Sequence, residues 1–270
     1  MSDWFTWIEN ESLRETFSAL LGGEKLSEAD AIKAVSDLAT EGEGHIKRLV
    51  GDSFYRKYFP TDRVGPPWDD DKPIGWVDHY TAGVSARGTL RWFSSQKRDT
   101  PLTSSSHYVM SRRGVIATVV NPLKSVAWHA RKTSYTHIGV EHVNAGLLSK
   151  SGTKILYMEQ HPYPLDRVPH VQEVYGELWE PYLSTQVVNN IALKRLLICA
   201  LPTLLQKNFV DHEMVDPTRK KDCGPLWPLA NLNRLVFSWK PIKGFDSLEP
   251  TVMAKNVVAL FNSEAEDLLA

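Results

Sequence analysis

Cysteine is scarce in this sequence: Cys199 and Cys223 are the only two in 270 residues. Two thiols cannot make a disulfide framework, so a reducing compartment is the simpler setting. An excess of one charge is also missing. Against 31 Lys and Arg stand 32 Asp and Glu, a net charge of −1 at pH 7. That excludes the broad basic field of a nucleic-acid binder or of a protein drawn to anionic lipid. Long apolar runs are lacking too. The most hydrophobic stretch, "IALKRLLICALPTLL", is interrupted by Lys194, Arg195 and Pro202, and a membrane span needs roughly 20 apolar residues. The first residues, "MSDWFTWIENESLRETF", carry acids where a secretory signal needs positive charge. Together these absences predict a chain made in the cytoplasm, with no signal peptide and no membrane span.

What is present is ordinary globular composition, 42% hydrophobic and 23% charged. The length suits one large domain or one domain with an appendage. Residues 1–59 read as helical. "SLRETFSALLGG" has apolar residues at helical spacing, and "LSEADAIKAVSDLATEG" starts at Ser27 as N-cap, with Asp30 three residues on, and ends at Gly42. "GHIKRLVGDSFYRKYF" adds a possible third helix. Residues 60–73, rich in Pro and Asp, form a linker or an extended lead-in. Residues 74–240 then change pattern. "IGWVDHY" and "THIGVEHVNAG" read as strands, the second ending at Gly146, and "SSHYVMSRRGVIATVV" as a hairpin turning at Arg113-Gly114. "TKILYMEQH" reads as a strand in an insertion. "STQVVNNIALKRLLICALPTLLQKN" is a long helix that Pro202 kinks or ends. Residues 241–270 suggest a closing helix. The expected fold is α/β (α+β), a mixed central sheet flanked by helices, with an additional N-terminal helical region.

Two of the nine histidines stand out. His79 closes the strand "GWVDHY" beside small residues, where an open sheet places ligands. The plain alternative is a strand-end His capped by Asp78. His212 precedes "VDPTRKKDCGP", a turn too poor in apolar residues for a core strand and too rich in Pro and Gly for a helix. Two imidazoles and a carboxylate such as Asp222 would make a three-ligand zinc site with its fourth position open for water. Asp222 lies ten residues after His212, a spacing suited to two ends of a loop folding back on one metal. Lys220, two residues before Asp222, would share its side in an extended stretch and could stabilise an oxyanion. A solvated basic turn remains the alternative on spacing alone.

Four segments, taken together, resemble the zinc-dependent N-acetylmuramoyl-L-alanine amidases of the type-2 fold. This superfamily includes phage endolysins, recycling amidases and peptidoglycan-recognition proteins. The segments are "VDHYTAG", "SSHYVMSRRGVIATVV", "SVAWHARKTSYTHIGVEHVNAG" and "DHEMVDPTRKKDCGP", in family order over roughly residues 74–228. In the last, Pro217, Lys220 and Asp222 follow His212 by the family's intervals of five, eight and ten. The resemblance implies zinc held by His79, His212 and Asp222, Glu141 as the catalytic carboxylate, and Lys220 as the transition-state lysine. Trp128 and His129 would line the substrate groove. Cys223 competes with Asp222 because some branches use a cysteine two residues after a lysine, and Lys221 has that relation to it. The Gly224-Pro225 that follows favours the aspartate register. His107 is expected to pack in the hairpin, and His137 stands where small residues are usual.

The function so implied is hydrolysis of peptidoglycan, or of a muropeptide, at the amide between N-acetylmuramic acid and L-alanine. The N-terminal helices favour a lytic enzyme of the phage endolysin type, acting on the cell wall after release or export. A cytoplasmic recycling amidase, an exported toxin, a hydrolase of an amide within the stem peptide and a non-catalytic peptidoglycan-binding or sensing module are the alternatives. The last typically loses a zinc ligand, and here the full set is present. Between Glu141 and His212 the chain is longer than in compact members, and the extra residues are expected to wall or cover the cleft.

Overall fold

The N-terminal helices begin where hydrogen-bonding side chains cap them. Asn10 Oδ1 accepts from Leu13 N at 3.1 Å and opens α1 (Glu11–Leu21). Ser27 Oγ accepts from Asp30 N at 3.2 Å and opens α2 (Glu28–Val50), as the spacing predicts. The computed structural model describes residues 3–53, 55, 64–95 and 104–242. One boundary needs correction. α2 does not stop at Gly42, and much of the segment read as a third helix, from Gly44 to Val50, is its continuation. Gly42 is a point of close approach: a Cβ there would collide with the main-chain N and Oγ1 of Thr118. The missing side chain lets the helix lie against the following hairpin, so it marks packing and not an end.

The strand readings hold with tighter limits. A five-stranded sheet has the order β12-β2-β6-β3-β4. Its members are β2 (Gly75–Tyr80), β3 (Tyr108–Met110), β4 (Ile116–Thr118), β6 (His137–His142) and β12 (Phe209–Asp211). β12, β2, β6 and β3 are parallel, and β4 closes the edge as the hairpin partner of β3 around Arg113-Gly114. Both strands β2 and β3 are buried; β3 is wholly apolar, as parallel strands usually are, while β2 is apolar only through Val77 and then carries the buried Asp78 and His79. β1 (Val64–Pro67) pairs with β5 (Ser125–Ala127), so part of the Pro-rich lead-in is ordered against the domain. The insertion contributes β7 (Leu147–Ser151), β8 (Lys154–Tyr157), β9 (His161–Pro162), β10 (Gln172–Val174) and β11 (Glu177–Trp179), which form a second, antiparallel sheet of order β10-β11-β7-β8-β9. Helix α3 (Ala86–Ser95) follows β2. No helix among the described residues is long and apolar enough to cross a membrane. The C-terminal helix expected within 241–270 lies almost wholly outside the described residues.

Helix α4 (Ser184–Ala200) ends two residues before Pro202 and is buried on nearly every side. The core it shares with α1, α2 and the main sheet includes Phe17, Leu38, Trp76, Ile138, Val188 and Leu196. Lys194 and Arg195, which break its apolar run in the sequence, are fully buried and both bonded. Arg195 donates to Leu20 O at the end of α1 (2.5 Å), to Leu235 O near the end of α6 (Leu229–Ser238) at 2.7 Å, and to Lys240 O at 2.9 Å. One guanidinium thus adds charged donors to carbonyls at two helix ends, where Leu20 O also accepts from Gly23 N and Leu235 O from Ser238 Oγ. Arg195→Met is expected to cost about 2 kcal/mol, because buried carbonyls lose charged donors and Leu20 O and Leu235 O keep only their neutral ones. The shift of the urea midpoint at unchanged m reads this directly, and a change under about 0.5 kcal/mol would show that the carbonyls find other partners.

Candidate active site

Parallel strands bring chemistry to one end of the sheet. In β2 and β6 His79 lies opposite Glu141, so both side chains leave the same face near the carboxyl ends of their strands. β12 flanks β2 on its other side, and His212 follows its last residue as the first of a four-residue helix, α5 (His212–Val215). The turn after it folds back through its own hydrogen bonds. Asp216 accepts from Arg219 Nε at 2.8 Å, Lys220 N donates to Asp216 O at 2.9 Å, and Glu213 N donates to Asp222 O at 2.7 Å. That closure returns Asp222 to His212.

His79 Nδ1 and His212 Nδ1 lie 2.8 Å apart, and Asp222 Oδ2 stands 3.1 Å from the first and 2.9 Å from the second. All three residues are buried. Burial lowers the His79 imidazole to about 4, against the pull of Asp222. Burial would raise Asp222, but the His212 and His79 rings hold its carboxyl well below the ordinary range. Lone pairs this close repel one another unless a proton or a cation lies among them. A donor set of two imidazoles and a carboxylate, closed to within 4.8 Å, fits a metal ion.

Glu141 and Lys220 line the same cleft, of about 670 Å3. Burial pushes Glu141 up to about 8, with Asp222 adding to the rise and Lys220 opposing it, and its Oε2 has no partner. Lys220 Nζ lies 3.9 Å from Asp222 Oδ1 and is one-third exposed, while Lys221 turns away to Glu177 at 2.5 Å.

The sequence profile of the N-acetylmuramoyl-L-alanine amidases (Amidase_2) matches residues 69–225, which hold every one of these side chains. The chain belongs to this family. Among solved structures, it is similar to the N-acetylmuramyl-L-alanine amidase AmiD from E. coli, in complex with anhydro-N-acetylmuramic acid-L-Ala-D-gamma-Glu-L-Lys. That match has 24% identity and a TM-score of 0.44, and it covers 60% of this chain and 56% of that one. A selenomethionine AmpD matches at 20% identity and TM-score 0.45, over 66% and 92% of the two chains. AmpDh3 from Pseudomonas aeruginosa, in complex with anhydromuramic pentapeptide, matches at 20% and 0.42, over 67% and 64%. The chain thus spans little more than half the length of the E. coli amidase. No curated protein sequence matches it.

Within this amidase-family fold the other residues singled out by the sequence separate. Cys223 turns from the ligand cluster into the main core, where burial raises its thiol well above the usual range. Trp128 packs edge-to-face on Tyr135 at 5.3 Å. His129 reaches the ligand cluster itself: its Nδ1 is 3.0 Å from His79 Nε2 and its Nε2 is 2.9 Å from His137 O. His107 packs in the hairpin region, stacked on Trp68 and bonded to Ser125 O. Asp78 does not cap His79. Strand alternation sends it to the opposite face, where it accepts from Lys194, Trp76, His142, Asn190 and Trp227. The insertion supplies Tyr157, Met158 and His161 to one wall of the cleft, as the extra length suggests. Sequence reasoning missed the Asp78 network, whose one signal was a lysine inside an apolar run.

Proposed function

We propose that the chain hydrolyses the amide between the lactyl group of N-acetylmuramic acid and the L-alanine of a peptidoglycan stem peptide. His79, His212 and Asp222 would hold a zinc ion, which supplies an electrophile able to acidify water and polarise a carbonyl. Glu141, on the strand beside His79, takes the proton of the attacking water and returns it to the departing L-alanine amine. Lys220 offers its ammonium to the oxyanion that develops on the lactyl carbonyl. Tyr157 and Met158 wall one side of the cleft, and peptidoglycan or a muropeptide fragment is the partner that fills it. The observation that carries this reading is the convergence of His79, His212 and Asp222 beside Glu141, inside the segment that matches the amidase family.

The test is digestion of purified peptidoglycan, with and without a zinc chelator, followed by mass spectrometry of the soluble products. Stem peptides with a new L-alanine amino terminus are expected, absent after chelation and restored by added zinc. Sedimentation of the protein with the wall without any released peptide would identify a binding module instead. Release of peptides cut within the stem would move the scissile bond.

A further inference from the structure

We propose that His129 is a positioning residue that fixes the tautomer of His79, through a hydrogen-bonded chain running from His137 O through the His129 ring to His79. The inference deepens the metal-site reading above and rests on it. Its basis is donor and acceptor bookkeeping. A carbonyl only accepts, so the 2.9 Å contact from His129 Nε2 to His137 O requires a proton on Nε2. The other nitrogen, Nδ1, faces His79 Nε2 at 3.0 Å, and one proton lies between them. If that proton sits on His129, which already carries one on Nε2, the ring becomes a cation enclosed in the protein, and His79 must carry its own proton on Nδ1, the atom turned to His212 and Asp222. A protonated Nδ1 cannot bind a metal. If the proton sits on His79 Nε2, the His79 Nδ1 lone pair is free to bind. The chain His137 O, His129, His79 therefore selects the ligating tautomer and holds the plane of the ring, the service an outer carboxylate or carbonyl gives to many metal-bound histidines.

His129 is itself built into place. Ser134 Oγ, on a fully buried side chain, accepts from the main-chain N of His129 at 3.1 Å and of Ala130 at 2.8 Å. On the ring's other side lies Gly139 of β6, where an added Cβ would collide with Cγ of His129. The glycine of "HIGVE" thus leaves the space that the imidazole occupies. The rings of His79 and His129 meet edge-to-face at 5.1 Å. A side chain that only lined a substrate groove would not need both its nitrogens committed inside the protein.

The test uses the full-length chain and zinc itself as probe, measured by competition with a chromophoric chelator. His129→Ala is expected to weaken zinc binding by about 10–100-fold, and His129→Gln, whose amide oxygen can accept from His79 Nε2–H, to recover part of the loss. Gly139→Ala should weaken binding as well. The double variant Gly139→Ala/His129→Ala should bind no worse than His129→Ala alone, because the smaller side chain vacates the contested space. Long-range 1H–15N correlations should show His79 as the Nε2–H tautomer in the metal-free wild type, with the Nδ1–H form appearing in His129→Ala. Zinc affinity of a folded His129→Ala within about twofold of wild type, or a wild-type His79 in the Nδ1–H form, would overturn the inference and leave the metal site standing. A wild type that binds no zinc would overturn the metal site, and the inference with it.

Discussion

Glu141→Gln is expected to lower kcat on peptidoglycan by about 10²–10⁴-fold while the zinc content of the protein stays unchanged. Glutamine keeps the size of the side chain but cannot accept a proton from water. The pH dependence separates this role from a merely structural one. The base must be ionised, so wild-type kcat rises with pH along an acid limb. Burial and the neighbouring Asp222 place Glu141 near 8, well above its ordinary value of 4.5. A bound cation is positive and moves the limb down from there. Lys220 also lowers it, so Lys220→Met should displace the limb to higher pH besides slowing the reaction. In Glu141→Gln the limb should vanish. A Gln variant with wild-type rate and an intact acid limb would place the base elsewhere.

The second large effect is on stability. Lys194→Met is expected to destabilise the fold by about 3–5 kcal/mol, because it strands Asp78 as an unpaired charge in the core. Lys194 Nζ lies 2.7 Å from Asp78 Oδ2, and both side chains are fully buried. Burial by itself would push Asp78 up, but the Lys194 ammonium and the His142 imidazole hold it well below the carboxylate range. The sign follows: a depressed folded value adds stability above the ordinary carboxylate pKa of about 4, lost as pH falls below it. Replacing both partners, as in Asp78→Leu/Lys194→Met, should recover much of the loss, since a buried pair is costly to break and often cheap to replace whole. Urea midpoints of the single and double variants measure the coupling. Additive losses would mean that the remaining donors on Asp78, such as Trp76 Nε1 at 2.8 Å and Asn190 Nδ2 at 3.1 Å, carry the stability without the lysine.

The same residues show where sequence reading succeeds. "GWVDHY" announces a strand ending in His79, although the cap by Asp78 that its neighbour offered is not what forms, because the pleat sends Asp78 to the other face. The ten residues from His212 to Asp222 announce a loop that folds back, and Asp216 accomplishes it with bonds inside the segment. Ser27 and Asp30 announce a helix start that needs no distant partner. Gly42 misled because a helix end and a close approach both call for glycine, and only the contact with Thr118 tells them apart.

The sequence by itself determined the features whose causes are local: the caps, the hairpin at Arg113-Gly114, the strand ends that carry His79 and Glu141, and the turn that carries Lys220 and Asp222. Each depends on hydrogen bonds or side-chain alternation within a few residues. Tertiary structure alone decided the pairings across long separations. It set His79 opposite Glu141 through strand register, Lys194 against Asp78 116 residues away, and the His129 ring between His79 and the main chain of β6. Register and burial arise from packing the whole core at once. A lysine in an apolar run therefore becomes an ion-pair partner, and His129 comes within hydrogen-bond distance of His79, only when the sheet and its helices have closed around them.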